Sequence, residues 1–224
     1  NNDSAYPAAR DLSKAGAEVT LVDARATSAP SLPNGVRYDK GYAPLRTFGW
    51  KNLSGVQLAK RGETGWHAAQ TFDCDLRLVS GGWSPVVNLS SNRGAAPGWN
   101  SENACFLPKP ATEPLFPAGA ACGIWQNAAC EASGVAAAQS ALGEPAHPPK
   151  PGGWENPIQP VYEVRLPAQN IKSFVDFQHD VTSSDLRLAH QEGFVSVEHM
   201  KRYTTLGMAT DQGKMGNVIG LALM

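Results

Sequence analysis

Residues 172–216 constrain this chain most. The run KSFVDFQHDVTSSDLRLAHQEGFVSVEHMKRYTTLGMATDQGKMG sets two short helix candidates between two turn-rich arms, and it contains no cysteine. The first helix is expected over residues 184–191 with Gly193 after it, and the second over residues 197–202. Around the turn at Gly207 and Met208 the second arm gathers Lys201, Arg202, Thr204, Thr205 and Lys214. Such a group of cations and hydroxyls binds a phosphate. The same side chains equally serve to pin a turn and cover a helix end, and both readings stand.

The arms also carry a frame. Small 2Fe–2S domains fused to flavin dehydrogenases read V-C-x-C-x-x-V-T, a helix, K-R-x-T-R-x-G-M-G-x-C-Q-G, and a last cysteine shortly after. The present chain resembles that frame with Val175-Asp176-Phe177-Gln178-His179-Asp180-Val181-Thr182 and with residues 201–216. Its four thiolate positions are Asp176, Gln178, Asp211 and Gly216. Iron–sulfur clusters are held by thiolates, and two carboxylates, an amide and a glycine offer no comparable soft donor set. The expectation is the scaffold without an iron–sulfur cluster.

A chain of 224 residues is long enough to bury a sizeable core in one large or two small domains. Nineteen basic and twenty acidic residues are interspersed, for a net charge of −1. That balance favours neither nucleic acid nor an acidic membrane surface as a partner. Cys74, Cys105, Cys122 and Cys130 lack the close pairing of a zinc or thioredoxin-like site and read as reduced structural thiols. His179, His190 and His199 match no compact metal motif, and His67 and His147 are isolated, so no metal site is expected. No G-x-S-x-G, HExxH or paired-carboxylate pattern argues for hydrolysis. No apolar run of about twenty residues or charged leader is present, which makes a cytoplasmic protein the default expectation.

Along the chain, Asn1-Asn2-Asp3-Ser4 suits the N-cap of a helix over residues 5–14, with Gly16 as its stop and a strand over residues 19–23. This is the second half of a β-α-β unit. The absent preceding strand, and the apolar residues 218–224 at the other end, read as a piece of a longer polypeptide. Short strands are expected near residues 36–38, Tyr42 and residues 55–60. A further strand is expected over residues 74–80, running into Gly81-Gly82-Trp83-Ser84-Pro85. An alanine-rich helix follows over residues 124–132, with a break at Gly134 and more helix to Leu142. Residues 143–160 are thick with proline and glycine and read as a linker or an extended wrap. Residues 161–167 read as a short strand.

Two places suit a nucleotide. Asp23 ends a strand after a helix, where a nucleotide fold holds a ribose hydroxyl, yet Asn1-Asn2-Asp3-Ser4 supplies no glycine for close approach to a pyrophosphate. A solvated strand end is the other reading. Residues 117–123 have the placing of the strand, Gly-Asp pair and helix that close the first nucleotide domain of flavoprotein reductases. The pair here is Gly119-Ala120, which lacks the carboxylate that accepts a cofactor hydroxyl. A plain strand-to-helix turn accounts for the same residues.

Three blocks together resemble the alpha subunit of heterotetrameric sarcosine oxidase. They are Asn1 to Tyr6 with Asp23-Ala24-Arg25, then Ser80-Gly81-Gly82-Trp83-Ser84-Pro85, and most specifically residues 176–214. The resemblance implies an α/β chain. It would comprise partial FAD/NAD(P)-binding, glutathione-reductase-like dinucleotide domains, followed by a small helical module like a cysteine-free BFD-type 2Fe–2S domain. The implied segments are 1–67 (remainder of an inserted nucleotide-binding-like lobe), 68–142 (closing part of the NAD domain), 143–167 (linker) and 168–224 (the module, leading towards a folate-binding domain). It further implies a complex that oxidatively demethylates sarcosine to glycine, forms hydrogen peroxide and passes the one-carbon unit to tetrahydrofolate as 5,10-methylenetetrahydrofolate. In that family the partners are beta, gamma and delta subunits. FAD lies in the beta subunit, FMN between alpha and beta, and NAD in alpha.

The family's NAD contacts fall on Ala120, Trp125 and Asn127, and the last two depart from the family's usual Leu and Thr. FMN is assigned to Lys201, Arg202, Thr204 and Thr205 from charge and position. No residue of this chain is assigned a catalytic role. A non-catalytic scaffold subunit and the alpha subunit of a related amine or opine dehydrogenase are the alternatives.

Overall fold

The computed structural model describes residues 1–25, 31–32, 34–92, 94–109, 114–166 and 171–224. In chain order the helices are α1 (Ala5–Lys14), α2 (Asn88–Ser91), α3 (Asn127–Ala141), α4 (Ser183–Gln191), α5 (Val197–Thr204) and α6 (Gly216–Leu223). The strands are β1 (Thr20–Asp23), β2 (Arg37–Lys40), β3 (Tyr42–Gly49), β4 (Leu53–Gly62), β5 (Gly65–Asp73), β6 (Gly98–Asn100), β7 (Cys105–Leu107), β8 (Phe174–Asp176) and β9 (Val181–Thr182). The fold is α/β, and it divides into two compact units, Asn1–Gly41 with Leu78–Pro160, and Tyr42–Arg77 with Val161–Met224.

In the first unit, α1 packs on the parallel pair β1–β2, whose register runs from Thr20 opposite Arg37 to Asp23 opposite Lys40. The apolar spacing of α1 turns Tyr6 and Ala9 inward onto Leu21, with Val19, Val36 and Tyr38 around them. The helix stops at Gly16, whose φ of 92° lies in the left-handed region that glycine adopts without a Cβ penalty. Helix α3 runs unbroken through Gly134, contrary to the expected break. One glycine costs about 1 kcal/mol relative to alanine, and the surrounding alanines outweigh it. Residues 143–160 contain no helix or strand but are bonded at several points. The Gly152 amide donates to Gly123 O at 2.7 Å, Trp125 N to Gly152 O at 3.3 Å, Ile158 N to Glu102 O at 3.2 Å, and Gln159 N to Asn1 O at 3.3 Å.

In the second unit, β3, β4 and β5 form an antiparallel sheet. Leu45 and Ala59 of this sheet pack against Leu166, Val164 and Ile171. Residues 174–224 make the other core, in which Val175, Val181, Leu186, Ala189, Met200 and Leu206 are buried together. Burial of each large side chain there contributes roughly 1.5–3 kcal/mol.

Helix α4 starts where Thr182 and Asp185 close a reciprocal capping box. Its residues Leu186 and Ala189, three apart, then face inward. Helix α5 ends at Thr205, a non-glycine residue at φ 64°. In α6, Gly216 and Gly220 are buried and let the helix lie against Leu206 and Met200.

Two expected strands are not formed among the described residues, Pro167 at the end of the second lying outside them. Past Cys74, whose amide reaches Ser54 O at 3.3 Å, residues 75–80 have no ladder partner among the described residues, and Leu76, Leu78 and Val79 are exposed. The alternation of residues 74–80 is strand-like, but a strand needs a neighbour to accept its backbone bonds. Residues 161–166 likewise form no ladder. That segment is held by side chains. The Glu163 carboxylate accepts Ser183 Oγ at 2.6 Å and the Arg187 guanidinium at 2.9 and 3.1 Å.

Candidate functional site

The second unit brings the four thiolate-like positions to one place. Asp176 ends β8, and its carboxylate accepts three backbone amides: Oδ1 from Gln178 at 2.8 Å and His179 at 3.2 Å, and Oδ2 from Gly207 at 3.1 Å. Burial opposes its ionisation. The three amides, with the charge of His179, outweigh burial and hold its pKa below the usual carboxylate range. Gln178 Oε1 accepts the Thr210 amide at 3.1 Å and hydroxyl at 2.8 Å, and Asp211 Oδ1 accepts the Gly213 amide at 3.2 Å. A Cβ on Gly216 would stand 3.3 Å from Val175 O and 3.9 Å from Asp176 Cβ.

These donors do not fit a thiolate-ligated cluster: they contain no sulfur, and the oxygens named already accept protein hydrogens. Among the described residues no three His, Cys, Asp or Glu side chains are grouped to hold a metal ion.

Lys201, Arg202, Thr204 and Thr205 lie on and just past α5. Both hydroxyl protons are engaged within the chain, Thr204 Oγ1 on Met200 O at 2.9 Å and Thr205 Oγ1 on Thr204 O at 2.6 Å. Lys201 Nζ lies 3.5 Å from Glu198, and Arg202 is exposed. Each threonine hydroxyl would have to turn before donating to a phosphate.

In the first unit, Gly119–Cys122 form a short 3₁₀ turn, the described residues 114–118 before it form no strand, and Gly123 follows at φ 74°. Ala120 lies in this turn. Trp125 lies just past it, and its ring stacks at a tilt on Trp83 with centroids 5.9 Å apart. Its Nε1 is buried with no acceptor among the described residues, as is Nε1 of Trp154. Asn127 opens α3, whose N-cap Gln126 makes no side-chain cap bond. In the sequence Trp83 stands only within the Gly81-Gly82-Trp83-Ser84-Pro85 motif, and the fold pairs it with Trp125.

Asp23 is not a solvated strand end. It is buried, with Oδ1 accepting the Arg25 amide at 2.9 Å and Nε at 3.0 Å, and Oδ2 accepting Arg25 Nη2 and Tyr6 Oη, each at 2.8 Å. Burial works against this carboxylate, but the Arg25 and Tyr6 hydrogen bonds and the Arg25 charge pull its pKa down. The sequence signal for Arg25 was its spacing: two residues past Asp23 it returns to the same side of an extended chain.

The α/β fold is similar to that of one solved structure, an L-proline dehydrogenase from P. horikoshii, with a TM-score of 0.55 at 17% identity, covering 83% of this chain and 39% of that one. Residues 170–224 match the family described as sarcosine oxidase A3 domain. The whole chain is 35% identical to the sarcosine oxidase subunit alpha of Rhizobium meliloti (strain 1021) and 35% identical to that of Corynebacterium sp. (strain P-1). Along its full length it is a relative of sarcosine oxidase alpha subunits, and it spans 23% and 25% of the lengths of those two.

Proposed function

We propose that these residues are part of the alpha subunit of a sarcosine oxidase type oxidoreductase complex. That complex oxidatively demethylates sarcosine to glycine, with hydrogen peroxide and 5,10-methylenetetrahydrofolate as products. The observation that carries the reading is the similarity to sarcosine oxidase alpha subunits over 100% of the chain. In this reading the chain acts in the cytoplasm with beta, gamma and delta type subunits. It supplies pocket walls and subunit-interface residues rather than catalytic groups.

Ala120, Trp125 and Asn127 would border NAD, and the unpartnered Trp125 Nε1 and the uncapped start of α3 support that assignment. Lys201, Arg202, Thr204 and Thr205 would meet FMN at the subunit interface, with FAD in a partner subunit. When bound, the flavins would supply the electron acceptors, and Lys201 and Arg202 would offer positive charge to the FMN phosphate. The module of residues 168–224 keeps a BFD-like frame in which Asp176 takes a structural role without an iron–sulfur cluster.

A scaffold without cofactors is favoured by one observation: the polar groups of Asp176, Gln178, Thr204 and Thr205 are already satisfied within the chain. Purifying the complete protein with its partner subunits, identifying released nucleotides and assaying sarcosine-dependent peroxide separates the two. NAD and FMN with peroxide formation are expected. Nucleotide-free protein would leave the scaffold.

A further inference from the structure

We infer that Arg25 is the resident occupant of the ribose-and-phosphate subsite of the α1–β1–β2 lobe, so that this lobe holds no dinucleotide. Parallel α/β folds bind a dinucleotide between two poles: the pyrophosphate at a helix start, and a ribose hydroxyl on an acidic residue at the end of the next strand. In this chain α1 starts just after Asp3 and β1 ends at Asp23. A single guanidinium joins them. Arg25 Nη2 lies 2.7 Å from Asp3 Oδ1 and 2.8 Å from Asp23 Oδ2.

The occupation is tight. Arg25 is 1% exposed, and Asp3 and Asp23 are each 5% exposed. Asn156 closes on Asp3 from the wrap, its backbone N–H donating to Oδ2 at 2.9 Å. At the helix start, the Ser4 amide is taken by Asn2 Oδ1 at 2.7 Å and the Tyr6 amide by Asp3 O at 3.1 Å. Tyr6 Oη donates to Asp23 as well. With both carboxylates bound to it, the Arg25 guanidinium is already neutralised and offers no free charge to a diphosphate. Displacing Arg25 would strand two buried carboxylates without a counter-ion, a strongly unfavourable exchange. Arg25 Nη1 and Asn2 Nδ2 lack acceptors among the described residues, and the local charge suits a neutral, water-sized acceptor there.

This inference stands apart from the NAD role proposed for Ala120, Trp125 and Asn127, which belong to other elements. NAD⁺ affinity of the complete protein is to be measured by calorimetry for wild type and Asp23→Asn, alongside thermal unfolding. Expected is an affinity changed less than twofold and a lowered melting temperature. A tenfold loss of affinity with unchanged unfolding would overturn the inference. Should Asp23→Asn fail to fold, photolabelling of the native protein with 8-azido-NAD⁺ and peptide mapping decides. Absence of competed label from residues 1–41 supports Arg25 as the occupant, and label there that excess NAD⁺ suppresses refutes it.

Discussion

Asp176 Oδ2 accepts the Gly207 amide at 3.1 Å, joining the end of β8 to the turn after α5 across 31 residues of sequence. Oδ1 of the same carboxylate holds the amides of Gln178 and His179. One side chain thus ties both turn-rich arms of residues 171–224. Hydrogen bonds to a charged acceptor are each worth about 1.5–3 kcal/mol.

Asp176→Asn keeps one acceptor oxygen but turns an NH₂ group towards an amide donor. It should destabilise the second unit by about 1–3 kcal/mol, read by urea denaturation, with Asp176→Ala at least as severe.

The pH dependence follows from depressed folded-state values at Asp176 and Glu163. At Glu163 burial raises the pKa, while Arg187 and Ser183 lower it by more. Their contribution is complete above the unfolded carboxylate range, near pH 4, and is lost as pH falls through the lower folded values. Melting temperature should therefore drop below about pH 4, and Asp176→Asn should flatten that acid limb. An identical limb in the variant would show that the carboxylate titrates without consequence.

Gly220→Ala tests the α6 contact. A Cβ there would stand 2.5 Å from Leu206 Cδ2, while Leu206 is buried in the module core. Better helix propensity offers up to about 1 kcal/mol, and overpacking costs about 1–3 kcal/mol. Net destabilisation is expected in chemical denaturation, and a more stable variant would mean that Leu206 has room to move.

Cys105 is buried and its thiol is pushed up to about 11 by desolvation. In the native protein at pH 8 it should stay unlabelled by a thiolate-specific reagent after half-buried Cys74 has reacted. Equal labelling rates, by mass spectrometry of peptides, would mean that β7 opens readily.

Local signals were legible in the sequence where chemistry is local. Helix α1 occupies residues 5–14 as read, because Gly16 fixes its end, and α4 differs from its expected bounds by one residue. Residues 74–80 and 161–166 mislead because alternation reports a face to bury, whereas a strand also needs a partner the pattern cannot name. The left-handed Thr205 is invisible for a similar reason, since only the surrounding fold makes a non-glycine residue accept φ 64°. Asp176 and Gln178 stand out in the sequence only as positions of the 2Fe–2S frame the chain resembles. Their partners Gly207 and Thr210, and the pairing of Arg25 with Asp3, are tertiary and left no periodic mark.

Whether a carboxylate rather than a metal holds residues 171–224 together is tested most simply by thermal unfolding of wild type and Asp176→Asn with and without a strong chelator. Expected are no change on chelation and a melting temperature lowered by several degrees in Asp176→Asn. A chelator-sensitive wild type, with Asp176→Asn unfolding at the wild-type temperature, would contradict that expectation.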